Sequence, residues 1–236
     1  MLFRSAIRHK LSTAFFSLEM SQSEIVMRLL AAEAGVMLNS IRNGGLGEDE
    51  WSRIVARTKS FEDAPLFIDD SPNLTMMEIR AKARRLKQRH DLRFVVIDYM
   101  QLMSSGKKVE SRQLEVSEFS RQIKLLAKEL DIPVLLLSQL NRASDGTIDH
   151  RPTLSNLRES GAIEQDADMV MLLCRPALYG KTVDKKSTYP TDGLGIVIIA
   201  KHRNGKTGEV YFHHNQSMTK LVDYIPPLEW LTRNAK

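Results

Sequence analysis

The sequence predicts a doubly wound, mostly parallel α/β sheet with antiparallel strands added at its C-terminal edge, and three observations carry that expectation. The run Phe94-Val-Val-Ile97 is too short for a helix and too continuous for a half-exposed strand, so it reads as a strand buried on both faces of a parallel sheet. Further short apolar runs alternate with helical stretches, the pattern of strands joined by crossover helices. The last three strand-like runs are separated only by short turns, which suit antiparallel pairing. With no internal repeat and no convincing boundary, residues 1–236 are expected to form one domain.

Taken in order, Thr13 to Leu18 is the first buried strand and delivers Glu19 at its end. Ser21-Gln-Ser-Glu24 is a capping box, and the helix it opens carries Ile25, Leu29 and Leu30 at helical spacing. Asn43-Gly-Gly-Leu-Gly is a turn, and Glu48 to Phe61 is an amphipathic helix around Trp51, Ile54 and Val55. Pro65 to Asp69 is a strand. Thr75-Met-Met-Glu78 is a second capping box, starting a helix whose basic residues Lys82, Arg84, Arg85, Lys87 and Arg89 are expected on a solvated face. The central strand ends on Asp98. Ser104 to Ser111 then reads as a polar loop, followed by a helix from Arg112 to Leu130 with Leu114, Phe119, Ile123, Leu126 and Leu130 as its buried stripe. Asp131-Ile-Pro stops it; Val134 to Leu137 is a strand closing on Ser138-Gln139, and Asp168 to Leu173 is another. Residues 175–193 have no hydrophobic period and are expected to be a mobile surface loop. Gly195 to Ala200, Glu209 to His213 and Lys220 to Val222 are the antiparallel edge strands, and residues 223–236 form a C-terminal tail.

Composition sets the class. A chain of 236 residues with 42% hydrophobic and 27% charged residues has the balance of an ordinary soluble α/β protein. Its net charge of +5 permits a polyanionic partner without requiring one. Cys174, the single cysteine, follows the apolar run Met169 to Leu173, which excludes an internal disulfide and a cysteine metal cluster and predicts a buried, inert thiol. No apolar stretch reaches membrane-spanning length and the N-terminus has no signal-peptide core, so the expectation is a cytoplasmic protein with no membrane partner. Without secretion, the glycosylation patterns at Asn73 and Asn215 carry no meaning.

Three strands close on polar residues suited to phosphate chemistry: Glu19, Asp98 and Gln139. In an open α/β sheet ligands gather beyond the carboxyl ends of the strands, and a hydrophobic strand ending in Asp is how a nucleoside triphosphatase holds Mg²⁺. Strand-end polar residues are also common simply because strands emerge into solvent there. The combination of a metal ligand, a water-orienting group and a phosphate contact is more telling than any one member.

Five segments then appear in a fixed order: Phe16-Ser-Leu-Glu-Met20, Val96-Ile-Asp-Tyr-Met-Gln-Leu102, Ser138-Gln-Leu-Asn-Arg142, the stretch from Leu157 through Arg-Glu-Ser-Gly-Ala-Ile-Glu-Gln-Asp to Asp168, and Ala200-Lys-His-Arg-Asn-Gly205. Together, across about Ser12 to Gly208, they resemble the C-terminal motor domain of the replicative DNA helicases of the DnaB family. That resemblance implies a RecA-like fold, a homo-hexameric ring with nucleotide at its subunit interfaces, ATP and Mg²⁺ as cofactors, and translocation on single-stranded DNA with duplex unwinding; a primase and a helicase loader are the expected partners. It further implies that Glu19 polarises the attacking water, Asp98 binds Mg²⁺ through its water shell, Gln139 senses the γ-phosphate, and Lys201 and Arg203 reach the neighbouring subunit's nucleotide as cationic fingers. Arg158, Glu159 and Gly161 match the family's DNA-binding loop, Glu159 being placed to position Arg158. A Gly admits close backbone approach to a phosphate and an Arg supplies charge, so a loop of this kind suits sequence-independent grip on a strand. Lys107, Lys108 and Arg112 are pore candidates by loop position alone.

One departure stands against the match. The family's phosphate-binding loop, Gly-x-x-x-x-Gly-Lys-Ser/Thr, should precede the helix of which Leu2 to Lys10 would be the remnant, and these 236 residues hold neither it nor the strand before it. Gly205-Lys206-Thr207 is a decoy, because the earlier Gly falls at Ala200 and a strand follows. The expectations are weak ATP binding by this chain alone, exposed apolar surface where a central strand is lacking, and poor solubility. Two readings stay open beside the helicase motor: an ATP-incompetent DNA-binding or ring-joining remnant, and another RecA-like ATPase.

Overall fold

The structure is a computed structural model that describes residues 2–103, 112–141, 150–215 and 217–234. The chain divides into two compact units, one comprising Met1–Gln139 with Ser160–Asp166 and the other Leu140–Glu159 with Ala167–Lys236.

The first unit is built on a four-stranded parallel sheet of β1 (Thr13–Ser17), β2 (Leu66–Asp69), β3 (Phe94–Asp98) and β4 (Val134–Leu136), in the order β2-β1-β3-β4. Successive side chains of a strand point to opposite faces, and the continuous apolar runs fill both. Ala14, Phe16, Val95 and Ile97 pack on one side against Ile79 and Ala83 of α4 (Met76–His90) and Phe119, Ile123 and Leu126 of α5 (Arg112–Leu130). Phe15 and Val96 pack on the other against Ile25 and Leu29 of α1 (Gln22–Ala34) and against Leu2, which precedes a short π-helix, Phe3–Arg8. Both capping boxes form as expected, at Ser21 with Glu24 and at Thr75 with Glu78.

Three helical details depart from the sequence reading. A short helix, α2 (Leu38–Asn43), precedes the glycine turn. In α3 (Glu48–Glu62) only Ile54 is buried, within a small cluster with Ala34 and Val36; Trp51 is 58% exposed and Val55 is exposed as well, because α3 meets the unit along one narrow line. In α5 the stripe begins at Val116 rather than at Leu114, which is 57% exposed. Ile123 lies seven residues from Val116 and nine from Leu114, and only the former separation returns to the same helical face.

The second unit holds the antiparallel strands β5 (Met169–Cys174), β6 (Leu194–His202), β7 (Gly208–Asn215) and β8 (Lys220–Asp223), paired in that order. The antiparallel portion therefore starts one strand earlier than the short turns indicated. Val170, Leu172, Cys174 and Ile196 face its core, while Leu173 is 67% exposed and Val210 and Leu221 are exposed. Cys174 is a free, buried thiol pushed up in pKa by burial.

Residues 175–193 are a loop with internal order. A 3₁₀ turn, Pro176–Tyr179, opens it and Val183 bridges to Pro190. Asp184, only 3% exposed, accepts hydrogen bonds from the Ser187 amide (2.8 Å), the Ser187 hydroxyl (2.6 Å) and Arg151 (2.7 Å). Residues 223–236 include a helix, α7 (Leu228–Asn234), from which the Trp230 indole donates to the Thr188 carbonyl at 2.9 Å.

Candidate active site

In the first unit β1, β3 and β4 are adjacent and parallel, so their carboxyl ends, and with them Glu19, Asp98 and Gln139, share one edge of the sheet. The three side chains the sequence singled out for phosphate chemistry are therefore brought to one rim.

Each arrives by local design. Ser17, buried at the end of β1, both donates to the Met20 carbonyl (2.7 Å) and accepts from the Met20 amide (3.1 Å), and so folds the backbone into a tight bend with Glu19 exposed on it. The Leu18 amide donates to the Asp98 carbonyl at 2.7 Å, tying that bend to the end of β3. Asp98 is half-buried, and the peptide bond to Tyr99 is cis. The following 3₁₀ turn, Met100–Leu102, is pinned by the fully buried Met100 and by its amide, which donates to the Leu137 carbonyl at 3.1 Å.

Gln139 stands exposed just past β4, and its backbone is held by a residue to which sequence reasoning gave no role. The Gln101 side chain accepts from the Gln139 amide at 3.2 Å and donates to the Ser138 hydroxyl at 2.9 Å. It also makes a long contact of 3.4 Å to the Gln139 carbonyl. The only signal in the sequence is that Gln101 follows the strand-end Asp98 by three residues within the same motif. Arg112, a pore candidate by position, instead directs its guanidinium at the carbonyls of Gln101 (2.6 Å) and Met103 (3.2 Å) and pairs with Glu115. Lys107 and Lys108 lie outside the described residues.

The electrostatics of the rim fit a cation. Burial first, and the negative charge of Glu19 second, raise the Asp98 carboxyl above the usual carboxylate range. The negative charge of Glu19 disfavours the charged form of Asp98, a cost that a cation placed beside the two would relieve. Among the described residues no group of three or more His, Cys, Asp or Glu is arranged as a metal cage.

The remaining candidates lie elsewhere in the chain. Lys201 is in β6, opposite Val170. The extended backbone ends at His202, so Arg203 is the first residue of the turn rather than a strand residue two places on; its guanidinium meets Asp168 at 2.8 Å, and its amide donates to the Asp168 carbonyl at 2.8 Å. Gly205 sits in the β6–β7 hairpin, where a Cβ would come within 2.3 Å of the His202 ring, so the Gly-Lys-Thr there is a turn and no phosphate loop. Arg158, Glu159 and Gly161 do not form an irregular loop. The segment Leu154–Ser160 is a 3₁₀ helix that runs into α6 (Gly161–Asp166). The side chains of Arg158 and Glu159 lie outside the described residues. A Cβ on Gly161 would meet nothing within 4 Å, so the fold itself does not demand glycine there.

Comparison with known proteins places these features in context. The family model described as DnaB-like helicase C terminal domain matches residues 1–223. The chain is 56% identical over 218 residues to a protein named replicative DNA helicase DnaB from Mycobacterium intracellulare, covering 92% of this chain and 37% of that protein. It is 55% identical over 222 residues to the protein of the same name from Leifsonia xyli subsp. xyli, covering 94% and 47%. The chain thus spans less than half the length of these relatives. Among solved structures it resembles one described as an ATPase domain, with a TM-score of 0.84 and 33% identity over 92% of this chain and 76% of that one. It also resembles a DnaB-like replicative helicase described with its interactions with primase, with a TM-score of 0.86 and 31% identity over 95% of this chain and 54% of that one. A RadB recombinase, at 17% identity and a TM-score of 0.52, shares the fold alone.

Proposed function

The chain belongs to the DnaB-like helicase C-terminal domain family, and from that premise we propose that it is the RecA-like motor of a replicative helicase, hydrolysing ATP to move along single-stranded DNA and part the duplex as one of six subunits in a ring. The observation that supports this best is the convergence of Glu19, Asp98 and Gln139 on one sheet edge.

In this reading Glu19 accepts a proton from the water that attacks the γ-phosphorus, its exposed position on the bend leaving room for that water. Asp98 would hold Mg²⁺, which would supply positive charge to offset that of the nucleotide's phosphates. Gln139 donates its side-chain amide to a γ-phosphate oxygen and registers the loss of that phosphate. Lys201 and Arg203 serve the nucleotide of a neighbouring subunit, where a cation supplied across an interface can raise the rate by roughly 10³- to 10⁵-fold. For Arg203 this means exchanging Asp168 for a phosphate. Both members of that pair are more than half exposed, and such pairs contribute at most about 1 kcal/mol, so the exchange is inexpensive. Arg158, Glu159 and Gly161 are assigned to the DNA backbone, and primase and a loader are assigned as partners in a cytoplasmic replication complex. Among the described residues no helix is long and apolar enough to cross a membrane.

The test is made in a polypeptide with a strand and a Gly-x-x-x-x-Gly-Lys-Ser/Thr loop placed ahead of Leu2, since the 236 residues alone hold no such loop. DNA-stimulated ATP hydrolysis is expected, and Glu19→Gln should abolish turnover while sparing nucleotide binding. Equal loss of both would remove Glu19 from the chemistry. A folded, hexameric polypeptide that stays inactive would favour the ATP-incompetent subunit. DNA affinity should fall steeply with added salt, and a flat response would sink the DNA-binding assignment.

A further inference from the structure

We infer that Gln101 is a positioning residue for hydrolysis, locking the backbone of Gln139 so that its side chain faces the phosphate that Asp98 and Glu19 act on. The inference rests on the nucleotide-hydrolysis reading above and adds to it a residue and a route of coupling.

Gln101 bonds to both backbone polar groups of a single residue. Its carbonyl oxygen accepts from the Gln139 amide (3.2 Å) while its amide nitrogen faces the Gln139 carbonyl (3.4 Å) and donates to the Ser138 hydroxyl (2.9 Å). A backbone amide can only donate and a backbone carbonyl can only accept, so these partners fix which way the Gln101 amide is turned. No hydrocarbon, hydroxyl or carboxylate of similar length meets all three.

Gln139 needs this support because the ladder has run out. β4 ends at Leu136, and Leu137 makes the last bond to the neighbouring strand, its amide donating to the Ile97 carbonyl at 3.0 Å. Beyond it Gln139 is exposed, and an exposed side chain on an unpaired strand end samples many conformations. Gln101 replaces the missing ladder bond with a side chain. It is itself fixed from behind, since Arg112 clamps its carbonyl at 2.6 Å and the buried Met100 precedes it. It lies three positions past Asp98, so a displacement at the end of β3 and one at Gln139 reach each other through one amide group.

The measurement compares Gln101→Leu, Gln101→Glu and Gln139→Ala, in the polypeptide with the strand and phosphate loop placed ahead of Leu2, by steady-state ATP hydrolysis, with a thermal melt of each as a folding control. Removing two or three neutral hydrogen bonds that hold the sensor should lower kcat by about 10- to 30-fold with KM for ATP changed by less than about 2-fold. Gln101→Glu keeps the acceptor for the Gln139 amide and should recover part of that loss. In the double variant Gln101→Leu with Gln139→Ala, kcat should equal that of Gln139→Ala alone, whereas a merely structural role for Gln101 would add a further loss. A normal kcat in Gln101→Leu beside a lowered one in Gln139→Ala would overturn the inference and leave the proposed function intact. Should the unaltered protein not hydrolyse ATP, the functional reading itself would fail. Hydrogen exchange at the Gln139 amide then decides separately: faster exchange in Gln101→Leu, by about tenfold or more, supports the lock, and unchanged exchange overturns it.

Discussion

Replacing Arg151 by Ala tests how the second unit is held together. Arg151 donates to Asp184 at 2.7 Å and to Glu209 at 2.8 Å, and its own side chain is largely covered. A hydrogen bond to a charged group is worth about 1.5–3 kcal/mol, and a buried charge left unpaired costs more than the bond alone. Glu209 retains Lys186 at 2.8 Å and the Tyr211 hydroxyl at 2.9 Å, so its loss is small. Among the described residues the Asp184 carboxylate retains only Ser187 as a hydrogen-bond donor in its nearly inaccessible position, so most of the cost falls there and the expected loss is about 2–4 kcal/mol. The assay is urea unfolding read by Trp230 fluorescence in a Trp51→Phe background. The exposed Trp51 belongs to the first unit, whereas Trp230 packs on Tyr189 of the second. The pH dependence supplies a second arm. Hydrogen bonds and the Arg151 charge outweigh burial and lower the pKa of both Asp184 and Glu209, so their stabilisation is present above the unfolded values of 3.8 and 4.5 and is lost as pH falls through the lowered folded ones. The gap between Arg151→Ala and the parent should therefore close in acid. Coincident midpoints at neutral pH, or a gap of the same size at about pH 3, would refute the reasoning.

Three further substitutions follow from the first unit. Asp98→Asn should abolish Mg²⁺-dependent ATP hydrolysis yet leave the thermal midpoint at neutral pH equal or higher. The Asp98 carboxyl is raised by burial and by Glu19, so its stabilising share is full below the unfolded pKa and disappears as pH rises through the folded one; a clear fall in midpoint would contradict the assignment of that shift. In α5, Val116→Ala should cost about 2 kcal/mol, because it empties a buried site, while Leu114→Ala should stay within about 0.5 kcal/mol; denaturant midpoints of the two variants check the order.

The parallel half of the fold was legible because its strands are buried on both faces and therefore continuous in the sequence. Thr13–Ser17 and Phe94–Asp98 need no partner to be recognised as such. Helix starts were legible for a similar reason: Ser21 with Glu24, and Thr75 with Glu78, satisfy the orphan amides locally. What failed depended on tertiary contact. Trp51 and Leu114 carry the right hydrophobicity at nearly the right period, and only the narrow seating of α3 and the rotation of α5 decide that Ile54 and Val116 are the buried residues. The order within residues 175–193 was invisible for the same reason. It depends on Arg151 and Glu209, which lie 33 and 25 residues in sequence from Asp184 and bear no local relation to it.

The site shows the same division between what a residue type announces and what only packing decides. A polar residue at the carboxyl end of an apolar strand is conspicuous, because ligands gather there in an open α/β sheet; hence Glu19, Asp98 and Gln139 stood out by place. Gln101 did not, since a neutral amide three residues past a strand is ordinary until the backbone it grips is seen to have lost its ladder. The group that the proposed function sends to a neighbouring subunit behaves differently again. Arg203 rests against Asp168 at the end of β6, in a pair exposed enough to be traded for a phosphate. The residues of the rim are fixed by Ser17, Gln101 and Arg112, whereas Arg203 is held by an exposed ion pair. The proposed function gives that difference a reason: a proton acceptor and a phosphate sensor would require a set position before substrate arrives, and a finger extended to another chain would require a resting place that it can leave.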